Sequence, residues 1–266
     1  MTDTETISPW GAPPAPPAPP AQPSPPASSL LWAVISTALL VGWLSLSVGW
    51  VWGATVVAGV FVHEFGHMLV INWAGSGPSS LRIIPFFGGA ATMSRTPDTE
   101  FKGVLIALSG PVFGLIATLP FFLLAEQMGD RRWLGGAFLI AGLNLLNLAP
   151  APPLDGSKAL GPLLARIHPW LEHAALALVG AAAAAWAFSH GSILVGTVIG
   201  ASALVSLRAK ALRPEAAPLS WGDWAAGLGL YVAAVGLCAL ALVQALPGAS
   251  LAQPPISFGA LNGGAA

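Results

Sequence analysis

The residues whose types and spacing could do chemistry are His63, Glu64 and His67, in the stretch Val62-His63-Glu64-Phe65-Gly66-His67 deep within a long apolar run. On a helix, positions four apart stand one turn above each other. The two imidazoles can therefore converge on one metal ion, with Glu64 beside them to act on an attacking water. This is the His-Glu-x-x-His pattern of zinc hydrolases. The five-letter pattern also occurs in ordinary soluble helices, where two packing histidines and a Glu paired elsewhere account for it. Here the surroundings are apolar: a charge near the middle of a membrane-length helix costs roughly 3 kcal/mol, and a buried carboxylate has no cheap partner in lipid. That cost favours the metal reading.

A second constellation runs Asn144-Leu-Leu-Asn147-Leu-Ala-Pro150-Ala-Pro152-Pro153-Leu154-Asp155-Gly156. Three prolines within four residues cannot continue a regular helix, so the backbone must unwind and free its carbonyls and amides. Such backbone is tolerated at membrane depth where it lines a wet or protein-walled cavity. Asp155 is then a candidate third metal ligand, and Gly156 gives the chain room to turn. An ordinary turn at a membrane surface explains Pro-Leu-Asp-Gly equally well on its own. Position separates the two readings, because the spans carrying the motifs run in the same direction and each motif lies late in its span. His168, His173 and His190 fall at span ends, and His173 alone is kept as an alternative ligand to Asp155.

The elements that must position these groups are membrane helices. Hydrophobic residues make up 55% of the chain and charged ones 8%, with mean hydropathy +0.74, which indicates an all-α polytopic membrane protein. A net charge of -1 argues against nucleic acid as a partner. The single cysteine, Cys238, excludes an internal disulfide framework and a cysteine-based zinc site, and reads as a small buried hydrophobe.

Residues 1–28 form a Pro/Ala/Ser-rich segment without Lys or Arg, expected to be disordered; lacking a basic region, it does not read as a secretory signal. From Ser29 to Trp73 the chain is apolar for twice the ~20 residues one span needs, so two helices are expected, joined near Ser45 to Gly49. A third span is expected near Gly103 to Ala125, a fourth near Trp133 to Leu148, a fifth near Trp170 to Ser189, a sixth near Ile193 to Leu207 and a seventh near Trp221 to Leu246. The expectation is thus about six to seven transmembrane helices, divided into a core over 29–213, an additional C-terminal helix over 214–247 and a flexible tail over 248–266. In the loop after the second span, Leu81 to Met93 is apolar but broken by Pro85, Gly88 and Gly89. It is too short to span and suggests a re-entrant or β-hairpin-like element. Ser109-Gly110-Pro111-Val112-Phe113-Gly114 sets two glycines four apart, permitting close approach by another helix.

These motifs, in this order, resemble the site-2 protease family of intramembrane zinc metalloproteases, over about residues 50 to 160. The resemblance implies His63 and His67 as zinc ligands and Glu64 as the catalytic residue. Its Asn-x-x-Pro-x-Pro-x-Leu-Asp-Gly element falls on Asn147 through Gly156, implying Asp155 as third ligand and Asn147 as a substrate-positioning group. A hydrogen bond between Asn147 and Asn144 is the bland alternative for Asn147. The segment Pro85 to Ala90 and Ser109-Gly110-Pro111 also resemble family elements. One departure is Gly114, where many members carry Asn.

The implied function is an intramembrane endopeptidase with a Zn2+ cofactor, acting within the lipid bilayer on a transmembrane protein substrate. Leu81 to Met93 would offer a strand edge to that substrate, with Gly88 and Gly89 permitting close approach. A non-proteolytic metal-binding protein or divalent-metal transporter is the alternative. It would need no Glu beside the first His and would need more polar groups along its spans. Eight of the ten basic residues fall in the loops after spans two, four and six. By the positive-inside rule those loops face the cytoplasm, placing the site in the cytoplasmic half of a bacterial cytoplasmic membrane.

Overall fold

The computed structural model describes residues 38, 39, 42, 45, 46, 50–84, 88–151, 154–191, 193–208 and 217–249. The N-terminal tail, most of the first expected span, Pro85 to Phe87 and the C-terminal tail lie outside the described residues. Helix α1 (Trp50–Trp73) leads into an antiparallel pair, β1 (Ser80–Ile84) and β2 (Gly88–Thr92). There follow α2 (Glu100–Ile116), α3 (Leu119–Met128), a 3-10 turn, α4 (Leu134–Asn147), α5 (Asp155–Ile167), α6 (Pro169–Ser189), α7 (Ile193–Arg208) and α8 (Trp221–Ala249).

Local chemistry sets the boundaries. The Thr99 side chain caps α2 by accepting the Lys102 N–H, with Glu100 in the first turn where the helix dipole favours an acid. Pro120, in the first turn of α3, closes the preceding break, and Gly129 ends α3 with φ 63°. The Asp130 carboxylate accepts the Arg132 N–H and pairs with its guanidinium, which holds the Asp130 carboxyl below the usual carboxylate range. Pro169 opens α6 behind a His168 cap.

Among the described residues four helices are long and apolar enough to cross a membrane: Val51–Trp73, Glu100–Met128, Pro169–Ser189 and Trp221–Pro247. They match the second, third, fifth and seventh expected spans. The fourth and sixth expected segments appear as α4 and α7 within a residue of their expected bounds, but neither is as long as a full crossing. The 14 residues of α4 reach about 21 Å and the 16 of α7 about 24 Å, against a bilayer core of about 30 Å. Pro150 prevents α4 from continuing.

The core lies where α2, the end of α4, α5 and α8 meet: Val104, Ala107, Leu108, Leu148, Ala159, Ala234 and Cys238 are buried together. Large apolar side chains also cover the outside, Leu178 being 73% and Leu240 54% exposed, as expected of a surface solvated by lipid. One end of the bundle is tied across elements. The Lys102 ammonium donates to the Ala74 carbonyl, Leu219 N–H donates to Glu100, Trp224 Nε1–H donates to the Leu163 carbonyl, and Arg166 stacks on Trp221 at 4.3 Å.

Helices α6 and α7 pack closely, and a Cβ added at Gly180 would stand 2.7 Å from Ala203 Cβ. Gly180→Val is expected to destabilise the purified protein by about 1 to 3 kcal/mol through overpacking. Thermal unfolding in detergent measures it, with metal content unchanged.

Candidate metal centre

His63 and His67 follow from the helical repeat of α1: their rings stand edge to face, with centroids 4.8 Å apart. Both are buried, as are Glu64 and Asp155. Asp155 is the first residue of α5, with Leu154 as its N-cap. Its Oδ2 lies 3.0 Å from His63 Nε2 and 3.1 Å from His67 Nε2, and the two Nε2 atoms are 3.2 Å apart. One ligand atom from each of the three residues falls within 4.8 Å of the others.

The opposite ring nitrogens decide what this convergence means. His63 Nδ1–H donates to Asn144 Oδ1 at 2.8 Å, and His67 Nδ1–H donates to the Ile106 carbonyl at 2.7 Å. With those protons committed, each neutral ring presents its Nε2 lone pair to the other and to a carboxylate oxygen. Three acceptors facing one point in an apolar interior repel unless a cation sits among them. Two imidazole nitrogens and a carboxylate oxygen, the rings fixed from behind, are the donor set of a zinc site. Helix α2 leaves room for it through Gly110, where a Cβ would collide with both His Nε2 atoms.

Asn144 is a site residue that sequence reasoning did not assign to His63. It is fully buried, its amide nitrogen donates to the Ile140 carbonyl, and its oxygen is thereby turned toward His63. A Cβ at Gly114 would collide with that amide group. The glycine that departs from the family pattern therefore provides the space Asn144 occupies. The available signal was an amide placed within an apolar helix. Asn147, one turn further on, is half-buried, and His173 is exposed with its ring on the Pro169 carbonyl, away from the metal cluster.

Glu64 is held from the strand pair: its Oε2 accepts the Ala91 N–H at 3.0 Å. That amide consequently points away from β1. In an antiparallel pair, backbone groups alternate between the partner and the outer edge, so the Gly89 N–H also lies on the outer edge and the Gly88 N–H on the β1 side. The β2 edge thus faces Glu64, the residue beside His63 in the candidate metal cluster.

Residues 53–131 match Peptidase family M50. The chain is 28% identical over 209 residues to "Putative zinc metalloprotease Rip3" of Mycobacterium tuberculosis, covering 72% of this chain and 47% of that protein. It is 30% identical over 115 residues to "Putative zinc metalloprotease sll0528" of Synechocystis, covering 41% and 30%. With "Zinc metalloprotease MJ0392" of Methanocaldococcus jannaschii it shares 27% over 158 residues, covering 56% and 40%. The chain spans less than half the length of each of these relatives. No solved structure matches it.

Purified protein is expected to carry about one zinc per chain, with His63→Ala, His67→Ala and Asp155→Ala each lowering occupancy in elemental analysis. Asn144→Ala should weaken zinc binding by about 10- to 100-fold, the usual cost of losing a group that orients a ligand.

The matched segment and the zinc metalloprotease relatives thus make the chain similar to peptidase family M50, the site-2 protease family that its paired motifs resemble.

Proposed function

We propose that this chain is an intramembrane zinc-dependent endopeptidase that hydrolyses peptide bonds in or next to transmembrane segments of membrane-tethered proteins. The observation that carries the reading is the convergence of His63, His67 and Asp155 on one point within an apolar helix bundle, with buried Glu64 adjacent to the first of them. In this reading those three residues hold the metal. Bound zinc supplies Lewis acidity, polarising a scissile carbonyl and lowering the pKa of water to roughly 7.

Glu64 is the general base. Its carboxylate takes the proton of the attacking water and returns it to the leaving amine. The Ala91 amide restrains one carboxylate oxygen and leaves the other for that transfer. Asn144 and the Ile106 carbonyl keep the imidazoles turned with Nε2 toward the metal. Asn147, at the last turn of α4, offers its amide to the substrate backbone.

A helical peptide bond is a poor target because its carbonyl and amide are engaged in the helix. The reading therefore has the substrate held extended along the outer edge of β2, pairing with the Gly89 N–H and the Ala91 carbonyl, while the Ala91 N–H stays on Glu64. Side chains are read loosely in such pairing, so instability of the substrate helix sets the choice of site. The basic loops mark the end of the bundle joined by Lys102, Arg166 and Leu219 as cytoplasmic.

Glu64→Gln should keep its zinc and lose cleavage of a membrane-tethered substrate by several orders of magnitude; retained cleavage would end the protease reading. Gly89→Pro removes an outward donor without taking a hydrogen bond from the β1 ladder. It should impair cleavage at unchanged zinc content, and full activity in that variant would remove strand addition. For orientation, Ser79→Cys should be shielded and Met128→Cys labelled from outside intact cells, over a low background because Cys238 is buried. The reverse pattern would invert the topology.

A further inference from the structure

We infer that Tyr231 on α8 is a positioning residue of the metal centre, its hydroxyl clamping the point from which the chain turns into Asp155. The inference rests on the reading of Asp155 as a metal ligand and adds a residue far outside residues 53–131.

The starting point is one carbonyl. Leu148 ends α4, its N–H still donating to the Asn144 carbonyl. Its own carbonyl would find its helical donor four residues on, but that residue is Pro152, which has no N–H. Leu148 is 1% exposed, so water does not replace the lost donor. The Tyr231 hydroxyl does, donating to the Leu148 carbonyl at 2.7 Å. Tyr231 is the only tyrosine in the chain.

The same carbonyl is the floor on which the ligand segment rests. A Cβ at Gly156 would collide with the Leu148 and Ala149 carbonyls, so the residue next to Asp155 packs directly on the group that Tyr231 holds. Between the two, Ala151 N–H donates to the Ala149 carbonyl and Leu154 N–H to the Ala151 carbonyl. Leu148 also lies one turn beyond Asn144, which orients His63. Tyr231 therefore fixes a point between two groups of the centre, and the packing of Leu148 against Ala234 and Cys238 holds α8 in register to do so. Without the hydroxyl, the Leu148 carbonyl must turn elsewhere for a donor, and the segment delivering Asp155 turns with it.

The experiment uses the full chain in detergent, with zinc affinity measured by chelator competition and ligand geometry by the visible bands of the Co2+-substituted protein. Tyr231→Phe keeps the ring and loses the hydroxyl. It should raise the zinc dissociation constant about tenfold and shift the Co2+ bands, while the metal-free protein unfolds at nearly the wild-type temperature. Trp224→Phe is the control: it removes another bond from α8, to the Leu163 carbonyl two turns past Asp155, and should leave affinity and bands unchanged. Gly156→Ala pushes on the same carbonyl from the other side and should weaken zinc binding even if Tyr231→Phe cannot be purified. Wild-type affinity and bands in Tyr231→Phe, or unchanged affinity in Gly156→Ala, would overturn the inference. An equal loss in Trp224→Phe would also overturn it, by showing general loosening of α8. Asp155→Asn in the same titration tests the underlying reading: wild-type zinc affinity there would remove Asp155 as a ligand, whatever Tyr231→Phe shows.

Discussion

Three hydrogen-bond acceptors aimed at one point in an apolar interior form the constraint on which the rest of this molecule depends. The His63 and His67 lone pairs and the Asp155 carboxylate repel one another at about 3 Å, and the low dielectric that excludes water strengthens that repulsion. A divalent cation turns the same arrangement into an attractive one. The protons that would otherwise relieve the conflict are drawn to the far side of each ring by Asn144 and the Ile106 carbonyl. Metal affinity is therefore built as much by what holds the rings from behind as by the ligand atoms.

Bringing these groups together requires backbones to approach more closely than ordinary side chains allow. Helix α2 passes the two histidines at Gly110 and makes room for Asn144 at Gly114, a spacing of one helical turn that puts both gaps on one face. Pro111 between them denies a helical donor to the carbonyl four residues back. The neighbouring Ile106 carbonyl accepts from both His67 and Ser109. A motif that packing alone could explain thus serves the metal centre from two sides.

The irregular parts of the chain place the remaining residues around the centre. The strand pair supplies an amide to Glu64 and turns an open edge toward it, while the proline-broken segment after α4 delivers Asp155. Both are held by helices: β2 packs through Ala91 against the Ile71, Ala74 and Ile106 cluster of α1 and α2, and Leu148 is held by α8. Rigid spans thereby position short non-helical segments at the depth where a buried backbone needs protein partners.

Much of this was legible in the chain itself. The apolar runs dictate membrane helices, the four-residue spacing puts His63 and His67 on one face, and the cost of a carboxylate in lipid singles out Glu64. The prolines before Asp155 announce an unwound segment, and the breaks at Gly88 and Gly89 mark a non-helical element. These follow because helical periodicity, proline sterics and desolvation are local properties. Partnership is not local. That Asn144 faces His63 rather than Asn147 depends on the rotation of α4 against α1, and that Gly114 makes room for it depends on the approach of α2. Apolar runs located α4 and α7 to within a residue of their bounds, but whether so short a helix crosses the bilayer depends on its neighbours. Nothing in the local pattern around Tyr231 indicates that its hydroxyl meets a carbonyl 83 residues earlier in the chain. That contact arises because packing brings a carbonyl orphaned by proline against α8, and only the tertiary structure decides which distant side chain satisfies it.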